Sequence, residues 1–71
     1  MKKVYEVVFT EHEALLYSNI KKAYERVVTE CLKYNVRPVK YSTVALAIQE
    51  TGYYDVSRVP GLVEIRRRVI L

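Results

Sequence analysis

The chain has 71 residues, of which 51% are apolar and 28% charged, and its formal net charge is +4. A chain of this length forms one small domain with a marginal core, because it buries only about 60% of its unfolded surface. Its apolar runs are far shorter than the roughly 18 residues of a membrane-spanning helix, and residues 4–9 are too short for a signal peptide. The single Cys31 excludes an internal disulfide and a multi-cysteine zinc site, and indicates either a reducing, cytoplasmic setting or no redox role.

The first predicted element is a strand within residues 1–10, where residues 3–10 are rich in β-branched and aromatic side chains. Thr10 and Glu13 have the spacing of a capping box, which predicts that a helix follows from residue 11. Within residues 11–35 the pattern leaves open one helix or two, with Ser18 and Asn19 as the internal cap. Apolar residues recur three or four apart and form the expected buried stripe: Leu16, Ile20, Ala23, Val27 and Cys31.

A shorter helix is predicted at residues 41–52. Pro38 disfavours helical backbone at Arg37, and Asn35 tolerates a left-handed cap, so the preceding helix must stop there. Ser42 is the expected N-cap of the new helix, and Gly52 is its expected end. The expected inner side of this helix consists of Val44, Ala47, Ile48 and Thr51.

Residues 53–71 are predicted to form a β-hairpin. Pro60 and Gly61 suit the central positions of a type II turn, within a tip of about four residues. The β-branched residues favour a strand over residues 62–71, although its Leu, Glu and Arg residues also favour a helix. The order of helix, turn, helix and hairpin predicts an α+β fold of the winged helix-turn-helix class, with the N-terminal strand added to the sheet of a C-terminal β-hairpin wing.

The charge excess lies in the second half of the chain. Residues 1–32 carry five basic and five acidic side chains, whereas residues 33–71 carry seven and three. A phosphate-binding face produces such a distribution, although a solvated basic surface does so too. Lys21 and Lys22 belong to the balanced half, so the sequence predicts that they contribute little to binding.

The densest basic run is residues 66–68. On a strand Arg66 and Arg68 share one face while Arg67 points to the other. Two such guanidinium groups can clamp phosphate, and Arg58 could join them from the turn tip or through a bulge. The alternative is that these charges protect a sheet edge against aggregation.

Residues 24–31, 36–48 and 52–53 resemble the C-terminal winged helix of archaeal origin-recognition initiators, and the chain is also similar to small archaeal and bacterial winged-helix regulators. In the initiator family a tyrosine-bearing helix often ends in Leu-Cys before a proline turn and a recognition helix. Here the pair is reversed, as Cys31-Leu32. The similarity covers roughly residues 20–71. It implies that Tyr41, Ser42, Thr43 and Gln49 approach the major groove of duplex DNA, and that Arg58 and Arg66 approach the flanking backbone.

Lys40 and Arg68 complete the predicted DNA-binding residues. The chain departs from the family at Ala45 and Leu46, where polar or basic residues are usual. Apolar groups there can touch a thymine methyl or form a protein contact.

The sequence carries no enzyme signature, because it has no Gly-rich phosphate loop, no nucleophile beside the isolated His12 and no paired carboxylates. We therefore expect no enzymatic activity, cofactor, metal or small-molecule substrate. The predicted function is sequence-tolerant or sequence-specific duplex DNA binding by a homodimer, as a small transcriptional or replication accessory factor. One alternative is a protein-interaction or assembly module that uses Ala45, Leu46 and residues 69–71. Another is a ribbon-helix-helix-like dimer, which requires a shorter first helix.

Overall fold

A computed structural model describes residues 2–70, and this part of the chain forms one four-stranded sheet and two helices. The strand order is β2-β1-β4-β3, and each neighbouring pair is antiparallel. The α+β class is therefore confirmed. The elements in chain order are β1 (Lys2–Phe9), β2 (Leu15–Tyr17), α1 (Ile20–Lys33), α2 (Tyr41–Thr51), β3 (Tyr53–Asp55) and β4 (Leu62–Ile70).

The predicted strands at the two ends of the chain are neighbours in the sheet. β1 pairs with β4 along its whole length, from Lys2 opposite Ile70 to Phe9 opposite Leu62. The expected addition of the N-terminal strand to the hairpin sheet is confirmed, and so is a strand rather than a helix at Leu62–Ile70. The last residue of the predicted hairpin, residue 71, lies outside the described part of the chain.

The predicted helix from residue 11 is wrong for residues 11–19. Leu15–Tyr17 is a strand that pairs with β1, with Leu16 opposite Glu6, so Leu16 does not belong to the buried stripe. Helical and alternating spacing cannot be distinguished over three residues, and here the free edge of β1 selects the strand. Asn19 starts α1 rather than dividing two helices, since its side chain accepts a 2.9 Å hydrogen bond from the Lys22 amide.

The predicted capping box at Thr10 is also wrong. The Thr10 amide donates a 3.0 Å hydrogen bond to the carbonyl of Gly61, so this residue joins the end of β1 to the connection before β4. The remaining stripe of α1 is confirmed as buried: Ile20, Ala23, Val27 and Cys31.

The connection between the helices and the start of α2 follow the sequence prediction closely, but the N-cap of α2 does not. Asn35 has the expected left-handed backbone, with φ 59°. α2 begins at Tyr41, as predicted, so Ser42 lies inside its first turn and is not the N-cap. The N-cap is Lys40, which makes no side-chain capping bond. Gly52 ends α2 as predicted, with φ 87° and its amide bonded to the Ile48 carbonyl. Of the expected inner side, Val44 and Ile48 are buried, Ala47 is half-buried and Thr51 is exposed.

The turn before β4 has the predicted centre but a longer loop. The Leu62 amide bonds the Val59 carbonyl at 3.1 Å across Pro60 and Gly61, and Gly61 has φ 87°, as a type II turn requires. A second turn precedes it, because the Val59 amide bonds the Val56 carbonyl. The loop therefore spans residues 56–61 instead of four residues, and β3 is correspondingly short.

Both helices cover the same face of the sheet. Val7 and Ile65 lie opposite each other at its centre, fully buried in a core that also contains Ala23 of α1 and Ile48 of α2. Because side chains alternate along a strand, Glu6 and its neighbours across the sheet point to the other face. No described helix lies on that face. Strict alternation from Ile65 would turn Leu62 away from the helices. A register shift between Val8 and Phe9 turns it back, so that Leu62 is buried in the core.

Candidate nucleic-acid interface

The predicted DNA-binding residues lie on two faces of the molecule. Lys40, Tyr41, Ser42 and Thr43 are exposed together at the start of α2, in the helical layer. Gln49 is also exposed on α2 but near its other end, where its carbonyl accepts a 3.3 Å hydrogen bond from Arg67. The helical layer thus carries five of the predicted residues.

Arg58 lies beside the helical layer rather than beside the other predicted arginines. It occupies the loop before β4, and its Nη2 donates a 3.0 Å hydrogen bond to the carbonyl of Arg37 in the connection between the helices. This contact joins the loop to the connection and leaves Arg58 close to the start of α2 in the fold.

Arg66 and Arg68 point to the helix-free face. The Arg66 Nε bonds Glu64 Oε2 at 2.7 Å, and the Arg68 Nη1 lies 3.4 Å from Glu6 Oε2. The hydrogen bond and the charge of Glu64, with Glu6 nearby, raise the pKa of Arg66. A phosphate would therefore compete with a carboxylate at each of these arginines. The structure does not bring them together with the start of α2.

Arg67 has a different place from the arginines on either side of it. Its Nη1 reaches the carbonyl of Gln49, and its backbone amide donates to the Gly52 carbonyl at 2.8 Å. These bonds fasten the end of α2 to β4, so Arg67 orients the helix against the sheet.

Sequence reasoning missed the basic groove that lies beside the start of α2. Lys3 on β1 and Lys21 and Lys22 in the first turn of α1 line it, together with Tyr41 of α2. We call this the lysine groove. Glu25 is the one acidic side chain among its lining residues: Lys3, Tyr5, Ser18, Asn19, Ile20, Lys21, Lys22, Glu25 and Tyr41.

The groove was not predicted because residues 1–32 carry equal numbers of acidic and basic side chains. Glu11 and Glu30 line a different surface depression, at the far ends of β1 and α1. Once the strand and the helix are folded, three of the five basic residues in residues 1–32 therefore meet in the lysine groove with only one of the five acidic residues. The alternation of side chains along β1 is a local signal for part of this groove, because it places Lys3 on the helix-facing side with Tyr5 and Val7.

The electrostatics of the lysine groove favour an anion. The first turn of α1 contains Lys21 and Lys22 and no acidic residue. The amino end of a helix already carries partial positive charge, so each lysine there is unfavourable by about 0.3–1 kcal/mol. A negatively charged ligand would relieve both effects, because it can interact with the ammonium groups and the free amides at once.

Tyr41 is held at the edge of the groove by aromatic packing. Its ring meets the Tyr24 ring edge-on, with centroids 5.3 Å apart and an interplanar angle of 72°. The Tyr24 hydroxyl in turn donates a 2.8 Å hydrogen bond to the Val39 carbonyl, just before α2. α1 therefore fixes the position at which the first turn of α2 meets the groove.

Cys31 lies buried on α1, as the sequence predicted, and burial raises the pKa of its thiol. Within residues 2–70 no three His, Cys, Asp or Glu side chains converge in a way that could hold a metal ion. No helix in that range has the length and apolar character needed to cross a membrane. No protein-family model, curated protein or solved structure matches this chain.

Proposed function

We propose that this protein binds duplex DNA through the lysine groove and the first turn of α2. The observation that carries the proposal is the meeting of Lys3, Lys21 and Lys22, from two elements, beside a single carboxylate. DNA is a polyanion whose affinity for proteins comes largely from phosphate contacts with Lys and Arg. The lysine groove supplies such contacts next to an exposed helix start.

The two parts of this surface would have different tasks. Phosphates of one strand occupy the lysine groove and set the position of the protein on the duplex. Ser42 and Thr43, which are exposed beside it, then present hydroxyl groups that can bond base edges or neighbouring phosphates. Lys40 adds a further positive charge at the same end of α2. Binding is therefore mainly sequence-tolerant, with a smaller contribution from base contacts.

The use of α2 as a recognition helix in a winged helix-turn-helix arrangement is part of the proposal. The order of α1, α2 and the paired strands β3 and β4 supports it. The connection at residues 34–40 is longer than the roughly 3–4 residues usual in a helix-turn-helix. The proposed surface also differs from the sequence prediction, since it uses Lys21 and Lys22 and dispenses with Arg66 and Arg68.

Affinity for random duplex DNA measured across salt concentrations tests this proposal. A variant combining Lys3→Gln, Lys21→Gln and Lys22→Gln should bind all duplexes more weakly. The slope of log affinity against log salt should fall by about two to three units, because each lost phosphate contact removes about 0.9. All three side chains are exposed, so circular dichroism should show an unchanged fold.

The matched control combines Arg66→Gln and Arg68→Gln, which removes two positive charges from the helix-free face. This variant should keep nearly the full salt slope. If it loses the slope while the lysine variant binds like the wild type, the DNA surface is misassigned. If the wild type shows no salt-dependent affinity for any duplex, the proposed function is wrong.

A further inference from the structure

The helix-free face of the sheet combines exposed apolar side chains with paired charges. One row crosses all four strands in register, with Leu16, Glu6, Arg66 and Tyr53 side by side. Leu16 is 58% exposed and Tyr53 is 52% exposed, and Ile70, further along β4 on the same face, is 50% exposed. We call this surface the open face.

The charges of the open face balance each other. Strand alternation from the buried Ile65 assigns three basic and three acidic residues to it. The central ones are paired within the chain, Arg66 with Glu64 and Arg68 with Glu6. A surface without net charge attracts neither a polyanion nor an anionic membrane. The six residues are Lys2, Arg66, Arg68, Glu6, Glu64 and Asp55.

We propose that the open face binds a second copy of this chain, so that two sheets pack face to face about a two-fold axis. An isologous contact requires a self-complementary surface, and balanced charges flanked by apolar residues meet that requirement. In such a dimer Leu16, Tyr53 and Ile70 lose their exposure to water. Glu64 and Glu6 each keep an arginine partner, whether from their own chain or from the second copy.

The size of the open face is that of a small interface. β1 and β4 have 8 and 9 residues, and β2 and β3 have 3 each. At about 3.4 Å per residue and about 4.8 Å between strands they project roughly 400 Å² per copy. Because side chains project from the sheet, the accessible surface is larger than this flat area, and two copies together bury about 1,000 Å². Interfaces of that size belong to weak, reversible assemblies. We therefore infer a monomer–dimer equilibrium and not an obligate dimer.

The dimer does not depend on the proposed function. The lysine groove lies in the helical layer, on the other side of the sheet, and remains accessible when two open faces meet. A failure of DNA binding would leave the dimer intact, and a monomeric protein could still bind DNA.

Sedimentation velocity over a wide concentration range tests the dimer. The wild type should shift from monomer to dimer as its concentration rises. Leu16→Lys should weaken the association by at least tenfold, because it places a charge on the apolar edge of the open face. Ile70→Lys, at the other end of that face, should act in the same way. Neither side chain is in the core, so circular dichroism should report an unchanged fold.

Leu32→Lys is the matched control, since Leu32 is a 68% exposed leucine on α1 in the helical layer. It should associate like the wild type. A wild type that stays monomeric at its highest soluble concentration would overturn the proposal. That holds even if the open face were then found to bind another protein or an RNA. Equal effects of Leu32→Lys and Leu16→Lys would overturn it as well.

Discussion

Asp55 shows how one residue couples the short strand β3 to the loop that follows it. Its Oδ1 accepts a 2.7 Å hydrogen bond from the Ser57 amide. Hydrogen bonds from the side chain and the backbone of Ser57 hold the pKa of Asp55 below its usual value. The carboxylate form is therefore favoured in the folded protein, and the stability of the β3–β4 connection depends on pH.

The direction of this dependence follows from the lowered pKa. The stabilisation by Asp55 is complete above the unfolded pKa of about 3.9, and it is lost as the pH falls through the lower folded value. We predict that the wild type loses more stability than Asp55→Asn when the pH falls from about 5 to below that folded value. Thermal unfolding of both proteins across this range measures the difference, and parallel loss in the two would contradict the assigned hydrogen bonds.

The three adjacent arginines of β4 have different partners because neighbouring side chains on a strand point to opposite faces of the sheet. The strand period turns Arg67 toward α2, where it bonds Gln49, while Arg66 and Arg68 turn toward the open face. The sequence predicted this alternation correctly. It did not predict the carboxylate that pairs with Arg68, because Glu6 is 62 positions away in the chain and becomes a neighbour only through the pairing of β1 with β4.

At the level of elements, α2 owes its position to a few apolar side chains. Ile48 is fully buried between the helix and the sheet, whereas Leu46 on the same helix is exposed. We predict that Ile48→Ala lowers the free energy of unfolding by about 2–5 kcal/mol, because it leaves a cavity in the core. Urea unfolding measures this change.

Leu46→Ala is the control within the same helix, and its effect should stay within about 0.5 kcal/mol. A total stability of roughly 4–10 kcal/mol is usual for a chain of this length, so Ile48→Ala should leave a protein close to its unfolding limit. Comparable effects of the two substitutions would mean that α2 does not pack on the sheet through Ile48.

The elements that the sequence predicted well are those whose signals are local. Gly52 ends α2, Asn35 adopts the left-handed conformation, and Pro60 and Gly61 form the turn before β4. β2 was missed because its three residues fit a helical stripe as well as a strand. The edge of β1 decides between them, and that contact is invisible to a local pattern.

For the candidate site, too, the sequence predicted the features that have local signals and not those that depend on distant contacts. Lys40, Tyr41, Ser42 and Thr43 were assigned to the start of α2 from the helix signals around them, and that local placement agrees with the structure to within one residue. The lysine groove was not predicted, because Lys3 meets Lys21 and Lys22 only through the packing of α1 on β1. The count of charges along the chain indicated residues 33–71 as the binding surface, and it does not show that these three lysines are neighbours.

For the whole molecule, the two layers have different surface chemistry. The helical layer presents the lysine groove beside the start of α2, whereas the open face is balanced in charge and partly apolar. Three lysines beside a single carboxylate suit a polyanion. A surface that is neutral and partly apolar suits another protein. The proposed DNA binding and the proposed self-association therefore use opposite sides of the sheet.

The most direct test of this account is an NMR titration of backbone amide signals with a random DNA duplex. We expect the amides of residue 3, residues 19–22 and residues 40–43 to change together and saturate together. Amides of residues 64, 66 and 68, which belong to the open face, should change little. Changes confined to residues 64–68, with the lysine groove silent, would contradict the account.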